Sequence, residues 1–318
     1  MKQIEFEGIQ LSSLGFGCTQ LSANFSRKAA VGNLETAFNN GITHFDTARA
    51  YGFGMAESIM APFIKGKRDK ISITSKIGIL PKAIPVKNLF ILNILRAGLN
   101  ISSAVRRSAI AHTGGANQEV LFSESTARLS LEASLKALNT DYLDILLLHE
   151  SSVDYANKEE TIGFLQQLVK TGKIRAFGIA TQYKKLPQDL RLLNSAYKIL
   201  QFESNPLDVS ALQHLQERFT ILHSVFRNLE AISQLLAQNK ALSDTLSERA
   251  GVDLSTKQAL SECFLRYAAF KNPDGLTLIT SRHNQRIREN IHTWNHSRIS
   301  TAQIPEIFNM IREALPKQ

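Results

Sequence analysis

Cysteine is scarce: Cys18 and Cys263 are the only two in 318 residues. That excludes a disulfide framework and a cysteine-only metal site; one bridge stays open, and reduced thiols are the expectation. Long apolar runs are missing as well. No stretch approaches the roughly 18 uninterrupted apolar residues of a membrane span, and the opening MKQIEFEGIQ carries no apolar core of a secretory leader. No membrane span and a cytoplasmic location are therefore expected. No linker rich in proline, glycine or serine divides the chain, and no low-complexity run interrupts it, so one domain over residues 1–318 is the simplest organisation. Metal-type spacing is absent too: His44, His112, His283, His292 and His296 show no zinc pattern with either cysteine, and no metal site is expected. Charge is unbalanced, with a net +9 and a pI near 9.5. That excess suits a phosphorylated cofactor or another anionic ligand and also weak nucleic-acid contact, so it does not choose among them.

What is present is alternation. Short β-rich apolar runs alternate with segments of helical period, the pattern of repeated βα units around a parallel sheet. Eight strands are predicted, at 11–18, 43–48, 71–78, 142–150, 174–181, 199–204, 219–225 and 275–281. Amphipathic stretches lie between them, among them 27–40, 124–138 and 157–172, the last with Gly172 as a stop signal. Eight such units in a chain of this length predict an α/β (β/α)8 TIM barrel rather than an open doubly wound sheet. Gly8 separates two short alternating runs, which reads as an N-terminal hairpin placed to plug the bottom of the barrel. One connection breaks the pattern. Residues 79–121 insert 43 residues between the third strand and its helix, where ordinary βα loops run about 2 to 6. The insert holds an apolar and basic stretch of helical character, read as helices over the rim or a pocket wall, with a docking helix as the sharper alternative. Phe90 is its only aromatic, which argues against a nucleic-acid surface.

In a barrel of this kind working residues gather at the C-terminal ends of strands. Strand two ends in Asp46 with Tyr51 in the following loop, strand three in Lys76 within TSKIG, and strand four in His149 within LLLHE. Each alone has a structural explanation: a helix cap, a lysine paired with that carboxylate, a packing aromatic, a satisfied rim histidine. Together they form a coherent proton-transfer device. A phenol has an ordinary pKa of about 10 and is a weak acid. A neighbouring Lys76 ammonium favours its ionised form, Asp46 holds that lysine charged, and His149 is placed to hydrogen-bond a substrate oxygen. Such a device suits reduction of an aldehyde or ketone with hydride supplied by a cofactor, or the same chemistry run in reverse by an alcohol or sugar dehydrogenase. A Rossmann site is set aside, because GFGMAE at 52–57 lacks the third glycine and does not emerge directly from a strand.

GITHFDTARAYG, TSKIG and LLLHE closely resemble the signature segments of the aldo-keto reductases, and the resemblance runs over essentially the whole chain. It implies a (β/α)8 barrel that uses NADPH or, less often, NADH, with Tyr51 as general acid/base and Asp46, Lys76 and His149 completing a tetrad. It also implies cofactor contacts. Gly17, Cys18 and Thr19 would lie along the dinucleotide with Asp46, Gln201 would bind the nicotinamide carboxamide, and Ser281, Arg282, Arg286, Glu289 and Asn290 would meet the adenosine phosphate. Arginines beside a helix start suit a 2′-phosphate, which favours NADPH. Two positions depart from the family pattern. Ala180 and Thr181, the latter a cofactor-binding position, stand where Ser-Asn is common, so that part of the carboxamide bonding is either lost or moved to Gln182, and His223 stands at the cofactor where an aromatic ring is usual. A small-molecule carbonyl substrate is expected; little chain follows the helical stretch at 305–315 to form a closing loop, so a fairly open mouth suited to a bulky or sugar-like substrate is expected too, with no nucleic-acid partner. A cofactor-binding regulatory or interaction subunit with little turnover is the alternative from another class.

Overall fold

The computed structural model describes residues 1–24, 26–81, 123–182, 190–204, 206–207 and 218–315. Most of the predicted insertion, from residue 82 onward, with its helical stretch, Phe90 and His112, lies outside the described residues.

The chain opens with an antiparallel hairpin of β1 (Gln3–Phe6) and β2 (Ile9–Ser12). Its two-residue turn places Glu7 at φ 48 and Gly8 at φ 72, the left-handed pair that matches the twist of hairpin strands. Eight further strands follow: β3 (Leu14–Gly17), β4 (His44–Asp46), β5 (Ser72–Ile77), β6 (Leu143–His149), β7 (Ile174–Ala180), β8 (Ile199–Glu203), β9 (Phe219–His223) and β10 (Leu276–Ile279). They close a parallel barrel in the order β10-β3-β4-β5-β6-β7-β8-β9. The eight predicted strands are these eight, with one correction. Residues 11–18 do not form one strand, because Leu11 and Ser12 belong to the hairpin. The chain bends there as the Ser12 hydroxyl donates to the Leu14 carbonyl at 2.7 Å, and Ser13 offers its carbonyl to the Thr277 amide at 3.0 Å.

The hairpin closes the N-terminal mouth. Ile9 and Leu11 are fully buried in one cluster with Ile145, Leu147, Ile199, Ile221 and Leu276 from inside the barrel, and Phe6 stacks on Phe219 with centroids 4.5 Å apart. Burying each such side chain contributes roughly 1.5–3 kcal/mol, so the plug adds materially to barrel stability. Strands β7 and β8 approach closely at Gly178, where an added Cβ would lie 2.6 Å from the Ile199 Cβ. Only glycine fits that contact.

Helices α1 (Arg27–Asn39), α2 (Ala56–Ile64), α3 (Glu124–Leu138) and α4 (Glu159–Lys170) cover the first half of the barrel. Their ends follow local chemistry. Ser26 and Ser123 cap α1 and α3 by accepting the Ala29 and Thr126 amides, α3 ends on left-handed Asn139, and Gly172 turns at φ 70 just beyond α4. After β9 the chain makes α5 (Leu229–Gln238) and α6 (Lys240–Ala250) before α7 (Lys257–Lys271), and after β10 it makes α8 (Asn284–Asn295) and α9 (Ile304–Ala314). Helices α5, α6, α7 and α9 share their own apolar cluster around Leu246, Phe264 and Phe308. Among the described residues no helix is long and apolar enough to cross a membrane.

At the base of β4, His44 is fully buried, its ring nitrogens 3.0 Å from the Ser72 hydroxyl and 3.1 Å from the Thr74 hydroxyl. Burial pulls its pKa down to about 4 against the opposing pull of Asp46 and Asp144. The unfolded chain takes up that proton near pH 6.5, so it binds more protons than the folded one between the two values. Stability is therefore full above about pH 6.5 and falls as the pH drops towards 4, with a loss on the order of 3 kcal/mol from this ring. Urea unfolding midpoints measured across that window are expected to fall, with a shallower slope in His44→Asn; an equal slope in both proteins contradicts the assignment.

Candidate active site

Asp46 closes β4 at the C-terminal rim, with Gly17 of β3 and Thr74 of β5 as its neighbours in register. It is 2% exposed. Its two carboxylate oxygens have separate partners: Lys76 Nζ donates to Oδ1 at 2.6 Å and Gln201 Nε2 donates to Oδ2 at 2.7 Å. Lys76, on β5, is equally buried and also donates to the Thr47 carbonyl at 2.9 Å. Burial alone would drive off its proton, but the Asp46 carboxylate and the Tyr51 phenol outweigh burial and raise its pKa above the ordinary lysine value. The ammonium is thus a fixed charge inside the barrel mouth.

Tyr51 is carried over that charge by the loop from β4 to α2. The Tyr51 amide donates to the Ala48 carbonyl at 3.0 Å, and the chain then runs left-handed through Gly52 (φ 61), Phe53 (φ 58) and Gly54 (φ 82). Glycine at 52 is doubly required, since an added Cβ would also lie 2.6 Å from the Ser22 Cβ. The loop sets the Tyr51 ring 4.8 Å from Lys76 Nζ and edge-on to His149, with centroids 5.9 Å apart. One predicted effect is corrected here. Lys76 does pull the phenol towards ionisation, but burial pushes harder in the other direction, and the Tyr51 pKa is raised rather than lowered. The phenol therefore keeps its proton at neutral pH.

His149 ends β6 opposite Ala180 of β7. Burial, with the charges of Lys76 and His223, lowers its pKa to about 3, so the imidazole is neutral. Its Nδ1 is buried with no hydrogen-bond partner among the described residues, and so are the hydroxyls of Thr47, Thr181 and Thr280. These four lie at or just beyond the C-terminal ends of β6, β4, β7 and β10. Buried polar atoms are nearly always paired in native proteins. A run of unpaired ones around a barrel mouth is what a surface shaped for a hydrogen-bonding ligand presents.

The structure brings Asp46, Tyr51, Lys76, His149 and Gln201 into one cluster. Gln201 gives one N–H of its side-chain amide to Asp46, and the amide carries a second N–H and an acceptor oxygen besides. Thr181, whose amide donates to the Gln201 carbonyl at 3.0 Å, sits beside it, while Gln182 is exposed. His223 ends β9 half-buried at the same rim, its Nδ1 2.9 Å from the Ser224 hydroxyl. Gly17 and Cys18 follow the other edge. The Cys18 thiol is fully buried, donates to the Phe16 carbonyl at 3.7 Å and has its pKa pushed well up by burial and by Asp46. Thr19 is exposed.

The C-terminal positions form a separate patch. Ser281 accepts the His283 amide at 3.1 Å, and exposed Arg282 donates to the Ala23 carbonyl at 3.2 Å. Helix α8 begins at Asn284 without a side-chain cap, with exposed Arg286 in its first turn and half-buried Asn290 in its second; Gln285 donates to exposed Glu289 at 2.7 Å. Three residues went unread in the sequence. Arg49, Glu57 and Ser75 make a buried polar group directly behind the Tyr51 loop. A signal for it existed, since Glu57 falls on the apolar face of AESIMAPFI with Ala56, Ile59, Met60 and Phe63.

A closed (β/α)8 barrel with a polar cluster at its C-terminal rim is the architecture of a rim-site barrel protein, with strand ends supplying the working groups. The model of the Aldo/keto reductase family matches residues 13–221, and the chain belongs to that family. The methylglyoxal reductase YeaE of Escherichia coli is 30% identical over 181 residues, 56% of this chain and 49% of its own length. The 6-dehydroglucose reductase of Agrobacterium fabrum is 30% identical over 196 residues, 59% of this chain and 55% of its own. The matched region thus spans about half the length of these curated relatives. The fold is shared with an aldo-keto reductase from Klebsiella pneumoniae in complex with NADPH, at a TM-score of 0.67 and 18% identity, covering 98% of this chain and 96% of that one.

Proposed function

We propose that the protein is an NADPH-dependent oxidoreductase that reduces a small polar aldehyde or ketone to an alcohol, with Tyr51 as the proton donor. The observation that carries this reading is the buried Asp46–Lys76 pair set against a phenol whose ring meets a neutral imidazole. Lys76 stays charged, so the phenolate left when Tyr51 gives up its proton is stabilised by a charge already in place. The raised pKa of Tyr51 keeps the phenol protonated at rest, which suits the direction of reduction. His149, neutral, retains a proton on one ring nitrogen and directs a hydrogen bond to the substrate oxygen without adding charge.

The chain's residues fit a nicotinamide dinucleotide. The unpaired Thr181 hydroxyl beside Gln201 suits a carboxamide, the unpaired Thr280 hydroxyl lies next to Gly17, and His223 offers a flat ring at the same rim. Arg282 and Arg286 beside the uncapped N-terminus of α8 suit a 2′-phosphate and favour NADPH over NADH. When bound, the dinucleotide supplies hydride to the carbonyl carbon. The names of the two 30% relatives support methylglyoxal and oxidised sugars as the first substrates to try.

The test is NADPH consumption by the purified protein with a panel of such carbonyls, run in parallel with NADH. Turnover with NADPH and at least one carbonyl is expected. Tight NADPH binding without turnover on any of them would instead support a cofactor-binding role and overturn the reading.

A further inference from the structure

We propose that Arg49 and Glu57 form a buried clamp that holds the Tyr51 loop in place, which makes Glu57 a positioning residue for the phenol. The catalytic consequence rests on the reading of Tyr51 as proton donor; the clamp itself does not.

Glu57 is the second residue of α2 and is fully buried, on a helix face otherwise made of Ala56, Ile59, Met60 and Phe63. A carboxylate there is costly unless its charge is answered. Its two oxygens divide the task. Oε1 accepts from the Ser75 hydroxyl at 2.7 Å. Ser75 directly precedes Lys76 on β5, and alternation along the strand sends Ser75 to the helix layer and Lys76 into the mouth. Oε2 makes no hydrogen bond among the described residues and lies 3.6 Å from Arg49 Nη1.

Arg49 stands two residues before Tyr51, and the same Nη1 reaches the Gly54 carbonyl at 3.5 Å. One guanidinium therefore ties the carboxylate to the far end of the loop that Tyr51 begins. That loop needs a tie. Three consecutive left-handed residues include Phe53 at φ 58, and a side chain in that region costs on the order of 1–2 kcal/mol. Without the carboxylate charge Arg49 has no anchor, the loop relaxes, and the phenol leaves its place beside Lys76. Burial keeps the Glu57 pKa above the ordinary carboxylate value, against the bond from Ser75 and the charges of Arg49 and Lys76.

Glu57→Gln keeps the volume and the Ser75 bond and removes the charge; Arg49→Met removes the other half. The ultraviolet signal of Tyr51 ionisation is isolated by subtracting the titration of Tyr51→Phe, a readout that needs neither cofactor nor turnover. In both variants that ionisation is expected to move from its raised position towards the ordinary value of about 10. Carbonyl reduction is expected to slow by about tenfold to a hundredfold with the KM for NADPH unchanged. Glu262→Gln serves as the control. Glu262 is a buried carboxylate of α7, paired with Arg298 and set in a different apolar cluster from α2, so its loss lowers stability and leaves the Tyr51 titration where it was. If the titration in Glu57→Gln and Arg49→Met is the same as in the wild-type protein, the clamp is wrong. If it shifts while no variant, nor the wild type, reduces any carbonyl, the clamp stands and the oxidoreductase reading falls.

Discussion

Tyr51→Phe is expected to slow NADPH-dependent carbonyl reduction by roughly a thousandfold, within the range for loss of a general acid, while the unfolding midpoint and NADPH binding stay near wild type. The separation follows from what the substitution leaves behind. The phenyl ring keeps its edge contact with His149 and its place beside the Lys76 charge. The ammonium keeps two oxygen partners, Asp46 and the Thr47 carbonyl, so only one polar contact is lost. A single contact of that kind is worth about 0.5–1.5 kcal/mol, or up to about 3 where a charge takes part. The proposed proton donor is gone and no other residue in the cluster is expected to replace it, because His149 is held neutral and Lys76 is held charged. Initial rates over the carbonyl panel, with cofactor binding followed by fluorescence, measure both halves. Turnover in Tyr51→Phe equal to wild type would remove the phenol from the mechanism.

The second large effect concerns stability. Lys76→Met is expected to destabilise the fold by about 3–5 kcal/mol, because it leaves the Asp46 carboxylate buried with its charge uncompensated. Gln201 still donates to Oδ2 but brings no charge. Removing both members should cost far less. In Asp46→Leu/Lys76→Met an apolar pair fills the same space, and buried ion pairs replaced in that way are often neutral or better. Urea unfolding of the two single variants and the double variant closes a mutant cycle whose coupling reports the pair. The interpretation fails if the double variant is as unstable as Lys76→Met. All three variants are expected to lose turnover, so stability is recovered without function.

The two cases differ in how visible they are before folding. Asp46, Lys76 and His149 could be picked out in the chain because each ends an apolar strand, and in a closed parallel barrel strand ends share one rim. Gly172 after α4 and the turn at Gly8 were legible for a similar reason, since helix ends and left-handed turns depend on a few neighbouring residues. The bend that separates β2 from β3 was not, because hydrogen bonds to Thr43 and Thr277, far along the chain, set it.

Within the site the division is sharper. Which groups meet could be expected from strand order, whereas the balance among them could not. Lys76 acts on Tyr51 in the expected direction, but burial outweighs it, and burial arises only when the loop folds over the closed barrel. Gln201 reaches Asp46 across 155 residues of sequence, a contact that no local pattern contains. Glu57 reads as an ordinary helix acid until α2 is laid on β5, when Ser75 and Arg49 become its partners. The chain alone set the periodicity, the caps and the polar strand ends, because these rest on interactions a few residues long. Closure of the barrel set solvation and long-range pairing, and through them the protonation states on which the chemistry of Tyr51 depends.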